Sequence, residues 1–232
     1  MDIPEFGSPA YQQLYDAIAE QAERGYINLP YHNWQHALQT QRVCRNLFER
    51  CQTYDVQLNP FVLDAASFLH DYNYHLPLAS GGQYRSKEIR SSRAAGKILR
   101  SLDIEPAVIR QVQSAIRSTE LGIPCRSLDD RAMRQADLSN VTENYGSFLL
   151  NTYRLYREAH QLNDNPPSLP RFIIGSVAVL SQYAREDVSL GPFDQDPSFM
   201  EAMFKNIDRL SQETPVSFMQ SVYETIYQKV AS

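Results

Sequence analysis

The chain of 232 residues has a formal net charge of −5, with 43% hydrophobic and 21% charged residues. That balance is long and apolar enough for one substantial buried core, and it excludes a disordered or collagen-like protein. The acidic excess also argues against chain-wide attraction to nucleic acid, so no nucleic-acid polymer is expected as a partner.

Apolar residues recurring at three and four predict a first helix over 11–22, "YQQLYDAIAEQA". After a break at "NLP" (28–30), a second helix begins near Asn33 and runs over 34–51. There His36 shares a face with Val43 and Leu47, which points its imidazole inward, and His32 sits at the entrance one turn earlier. Cys44 and Cys51 fall on the buried face and are expected to be reduced core thiols. A break at "LNP" (58–60) leads into a third helix that turns Val62, Ala65, Ala66 and Leu69 inward and ends on His70 and Asp71. The Gly-Gly loop over 75–83 follows directly and is a candidate lid.

The helix over 88–102 is introduced by a basic stripe, Lys87, Arg90, Arg93, Lys97 and Arg100, opposite Ile98 and Leu102. The stripe is expected to be a solvated face, with Arg85 and Lys87, nearest the lid, as candidates for phosphate recognition. Further helical periods cover 106–119, 129–138, 141–159, 170–184 and 197–230, separated by "LGIP", "NDNPPSLP" and "LGPFDQDP". Only nine glycines are present and no NG or DG turn separates alternating apolar runs, so strand signals are missing. The expectation is an all-α, single-domain helical bundle over 1–232, with a motif-bearing core at about 31–160 and C-terminal helices over 168–230. The longest apolar stretch, "FIIGSVAVL" (172–180), is far too short for a membrane span, and "MDIPEFGSPAYQQ" lacks a signal-peptide pattern. A cytoplasmic protein with no membrane partner is expected.

The chain has five histidines, and four of them fall in "YHNWQHALQT" (31–40) and "SFLHDYNYH" (67–75). His32 and His36 have the spacing of a zinc-protease helix, but Asn33 stands where that motif needs a glutamate base. Adjacent residues diverge by about 100° on a regular helix, so His70 and Asp71 can share one ion only if their side chains converge at the helix end. Two histidines four apart and an adjacent His-Asp pair, in a chain with so few histidines, are dense enough to suspect one metal site. Tyr72, Tyr74 and Tyr84 have the amphipathic rings that line a nucleobase pocket.

His36, the His70-Asp71 pair and Asp137 in "QADLSN" together resemble the HD superfamily of metal-dependent phosphohydrolases, whose pattern is H…HD…D on an all-α bundle. "YHNWQHA" is similar to the motif of cyclic-nucleotide phosphodiesterases and of small bacterial predicted HD phosphohydrolases, and "KEIRSS" (87–92) is close to the latter's Asn-Glu-x-x-Ser-Ala pattern. The resemblance implies one divalent metal ion (Mn, Fe, Co, Zn or Mg) on His36, His70, Asp71 and Asp137, with His32 as general acid. It further implies a small phosphorylated substrate, a nucleotide foremost, with Tyr31, Asn33, Arg85, Lys87 and Glu88 around it. Two-metal relatives carry further histidines, whereas here only His75 lies between the pair and Asp137, and Gly122 of "STELG" stands where a histidine is frequent. Other readings of the same scaffold are an iron oxygenase and a non-catalytic binding or sensing module.

Overall fold

The computed structural model describes residues 3–77, 86–186 and 198–231. Among these the fold is all-α, with ten helices, a short 3-10 turn and no strand. The helices are α1 (Pro9–Glu23), α2 (Trp34–Gln52), α3 (Pro60–Leu69), α4 (Lys87–Ser101), α5 (Pro106–Arg117), α6 (Leu128–Asp137), α7 (Tyr145–Leu162), α8 (Leu169–Tyr183), α9 (Ser198–Ser211) and α10 (Pro215–Ala231). The candidate lid falls largely outside the described residues, as do Tyr84 and Arg85. The chain divides into two compact units, whose described residues are those up to 137 and those from 138 onward.

In the first unit the starts of helices follow from capping chemistry. Ser8, Asn33, Asn59 and Ser86 each accept a main-chain N–H of the first turn, and Pro9, Pro60 and Pro106 sit where a missing N–H costs nothing. α3 is the central element, in contact with α1, α2, α4, α5 and α6. Every residue from Phe61 to Leu69 is buried, so the helix delivers its last turn into the interior. Its one charge, Asp64, is matched from two neighbours. Tyr11 donates its hydroxyl at 2.8 Å, Gln41 its amide at 2.8 Å, and Arg45 both Nε at 3.0 Å and Nη2 at 2.8 Å. Cys44 and Cys51 are buried within this core.

The second unit builds its own core from Leu138, Phe148, Leu149, Met203, Leu210, Phe218 and Val222, among others. Asn206 of α9 donates to the carbonyls of Val141 and Glu143 and so ties α9 to the 3-10 turn (Leu138–Thr142). The helix expected over 197–230 is two helices. Apolar periodicity continues across the break, but Pro215 starts a new helix, and the Thr214 hydroxyl caps it by accepting the Ser217 N–H at 3.1 Å.

Candidate metal centre

Three elements of the first unit bring ligand-type atoms to one point. At the start of α2 the Asn33 side-chain oxygen accepts the N–H groups of Gln35 and His36, and its amide donates to the Leu29 carbonyl at 2.7 Å. Asn33, expected near substrate, spends its side chain on fixing this turn, and His36 is carried inward within it. α3 ends at Leu69, with His70 as its cap still in helical conformation. A left-handed residue, Asn73 (φ 60°), then turns the chain back, its N–H donating to the Gly25 carbonyl at 3.0 Å. Asp137 is the last residue of α6.

His36, His70 and Asp71 place one donor atom each within 4.8 Å of one another, and Asp137 Oδ1 approaches both imidazoles. His70 Nε2 lies 3.0 Å from Asp71 Oδ2, 3.2 Å from His36 Nε2 and 3.4 Å from Asp137 Oδ1. His36 Nε2 lies 3.1 Å from Asp137 Oδ1 and 3.6 Å from Asp71 Oδ2. The adjacent His70 and Asp71 therefore converge despite their helical divergence, because the ring projects its far nitrogen while the shorter carboxylate folds toward it.

A cation fits this arrangement on three counts. Bond lengths of about 2.0–2.2 Å to nitrogen and oxygen require donor spacings of roughly 3.0–3.5 Å, close to those observed. His70 Nδ1 lies 2.8 Å from the Ser67 carbonyl, which can only accept, so the neutral ring keeps its proton there and aims the Nε2 lone pair at the other donors. Asp71 Oδ2 is buried with no hydrogen-bond partner. Four electron-rich atoms gathered without intervening donors call for positive charge.

Without a cation that charge must be a proton. Burial opposes an imidazolium at His70, but the carboxylates of Asp71 and Asp137 outweigh it and hold the ring's pKa well above its ordinary value. Burial likewise opposes the Asp71 carboxylate, yet His70 and then His32 pull its pKa down to about 2. Asp137 is depressed further, against its burial, chiefly by His70. The centre is closed around His70 and His36 and most open at Asp137, whose side chain is 25% exposed.

Of the remaining expected site residues that are described, Tyr31 and His32 contact His36, and Glu88 feels the charge of Asp71. The His32 ring meets the His36 ring edge-on, with centroids 5.7 Å apart, and the Tyr31 ring lies 4.8 Å from both. Lys87 places its ammonium 3.3 Å from the centre of the Tyr74 ring. Glu88, in the first turn of α4, has its pKa raised by burial and then by the charges of Asp71 and Glu120. Tyr72 packs against the main core and over Gly25.

The basic stripe needs correction. Arg93, Lys97 and Arg100 are exposed, but Arg90 is buried and donates to the main-chain oxygens of Tyr74, Leu76 and Pro77. Ser91 donates to the Tyr72 oxygen at 3.1 Å. These two residues of "KEIRSS" grip the segment that follows His70 and Asp71. Sequence reasoning also missed Ser67; its carbonyl lies three residues before a helix-terminal histidine, where unpaired carbonyls are expected.

No family model and no curated relative matches the chain. Among solved structures it is similar to LmjPDEB1 in complex with IBMX, at 14% identity and a TM-score of 0.60, over 87% of this chain and 82% of that one. The likeness is one of fold alone, for a chain that is all-α in both sequence pattern and structure.

Proposed function

We propose that the protein is a metal-dependent phosphoester hydrolase of the HD type, acting on a small phosphorylated molecule, a nucleotide foremost. The observation that carries the reading is the convergence of His36 Nε2, His70 Nε2, Asp71 Oδ2 and Asp137 Oδ1, with the His70 lone pair directed inward by Ser67. The fold likeness to LmjPDEB1 supports it.

In this reading the four residues hold one divalent ion. When bound, such an ion polarises a phosphoryl oxygen and acidifies a water. His32 stands beside the ligand His36 and gives its proton to the departing oxygen. The N-terminal turn of α2, which carries His36, adds a partial positive charge that favours a phosphate nearby. Arg85, Lys87 and Glu88 are assigned to the substrate's surroundings with Tyr31. A single ion is proposed because only His75 lies between the His70-Asp71 pair and Asp137, and Gly122 stands where two-metal relatives frequently carry a histidine.

The test is phosphate release from a panel of nucleotide mono- and diesters by protein loaded in turn with Mn, Mg, Co, Zn and Fe. Metal-dependent turnover is expected. No turnover with any metal sinks the reading, and oxygen consumption by an iron-loaded sample replaces it with an oxygenase.

A further inference from the structure

We infer that Tyr74 is a positioning residue for His32, an inference that rests on the role proposed above for that histidine. His32 precedes the Asn33 cap and lies outside α2. Its ring is stacked on Tyr74, with centroids 3.7 Å apart and planes 18° from parallel, and meets Tyr31 edge-on at 81°. Lys87 lies 3.3 Å from the same Tyr74 ring centre. Two groups that close to one centre cannot share a face, so Tyr74 is held between the ammonium of α4 and the imidazole. Both faces of Tyr74 are therefore taken, which leaves its edge and hydroxyl to line the pocket expected there.

The backbone behind Tyr74 is fixed as firmly as the ring. Its N–H donates to the Asp71 carbonyl at 2.9 Å, and its own carbonyl accepts from the buried Arg90 at 3.2 Å. The turn that follows the ligand Asp71 thus returns, three residues later, the wall against which His32 rests. One short segment sets both a metal ligand and the plane of the proton donor. The Tyr74 face and the Tyr31 edge together hold the imidazole, and loss of the face widens its spread away from the rotamer that aims the donor nitrogen at a leaving oxygen.

The test uses the full chain with zinc, and the variants Tyr74→Phe, which keeps the face, and Tyr74→Leu and Tyr74→Ala, which lose it. Adenosine 5′-monophosphate and 3′,5′-cyclic AMP serve as esters with poor leaving groups, and 4-nitrophenyl phosphate and bis(4-nitrophenyl) phosphate as esters with good ones. Tyr74→Leu and Tyr74→Ala are expected to retain zinc and to lose roughly 10- to 100-fold in kcat on the poor leaving groups, with much smaller losses on the nitrophenyl esters. Tyr74→Phe should restore the parent ratio. Independently of turnover, the His32 ring resonance, identified by its loss in His32→Gln, should move downfield in Tyr74→Leu and stay in place in Tyr74→Phe, because the stacked ring shields it. An unmoved resonance overturns the contact, and equal losses on both ester classes overturn the positioning role. A parent that hydrolyses none of the esters defeats the hydrolase reading and the role with it, while the resonance still reports whether the stack exists.

Discussion

His70 Nδ1 stands 2.8 Å from the main-chain oxygen of Ser67 while its Nε2 stands 3.0 Å from Asp71 Oδ2. A carbonyl and a carboxylate thus bracket one ring, and only the carbonyl needs the ring's proton once a cation is bound. Purified protein should hold about one divalent ion per chain, and His70→Ala and Asp137→Ala should each lose most of it. Elemental analysis measures this; full metal in either variant would mean that the donors serve another purpose.

The metal-free protein should show a defined pH dependence. The raised pKa of His70 stabilises the fold below the unfolded value near 6.5, a contribution lost as pH rises through the higher folded value. The depressed pKa of Asp71, about 2, contributes above the unfolded value near 3.9 and is lost as pH falls through about 2. Tm without metal should therefore decline above neutrality and again below about pH 4. Because a bound cation replaces the His70 proton, the gain in Tm on adding zinc should grow from pH 6 to pH 9 in thermal melts. A gain that shrinks over that range contradicts the assignment.

His32→Ala should keep its metal and lose roughly a hundred- to ten-thousand-fold in kcat on an alkyl phosphoester. On a nitrophenyl ester, whose leaving group departs unassisted, it should keep far more of its rate. Equal losses on the two would make His32 a phosphate-binding or packing residue, and metal loss would make it a ligand.

Gly25→Ala should be destabilising by about 1–3 kcal/mol. The added methyl would overlap the ring of Tyr72, the neighbour of Asp71, and the Gly25 carbonyl also holds the Asn73 N–H. Glycine-to-alanine changes that meet no obstacle stabilise by about 0.4–1 kcal/mol, so the sign of the change in a denaturant titration is the test. A lower metal affinity is expected alongside.

Asp64→Ala should cost about 1–3 kcal/mol, since it leaves the buried Tyr11 hydroxyl and the half-buried Arg45 guanidinium without their acceptor. The metal stoichiometry of the folded fraction should be unchanged. Chemical denaturation paired with elemental analysis distinguishes this from damage to the centre.

Much of the helical layout was legible because prolines and capping asparagines mark helix starts, as at Asn59-Pro60. The Thr214-Pro215 start was missed because apolar periodicity runs through it unbroken. His36, His70 and Asp71 stood out because histidine is rare in this chain and concentrated in two short stretches, whereas Asp137 carried no such signal and came only from the HD pattern. Arg90 was misread for the opposite reason: period assigns a residue to a helix face, but it does not say which face a following segment will cover. Asp64 gave no signal at all, since its partners Tyr11 and Arg45 lie 53 and 19 residues away and only the packing of α1, α2 and α3 joins them.

The donors His36 and Asp137 are 101 residues apart in sequence. On a ribosome adding about 5–20 residues per second, the nascent chain therefore exposes His36, His70 and Asp71 several seconds before Asp137 follows. During that interval only three of the four donors exist, and the helix that supplies the last has yet to pack. In the proposed four-ligand site, complete coordination accordingly belongs to the period after synthesis of α6.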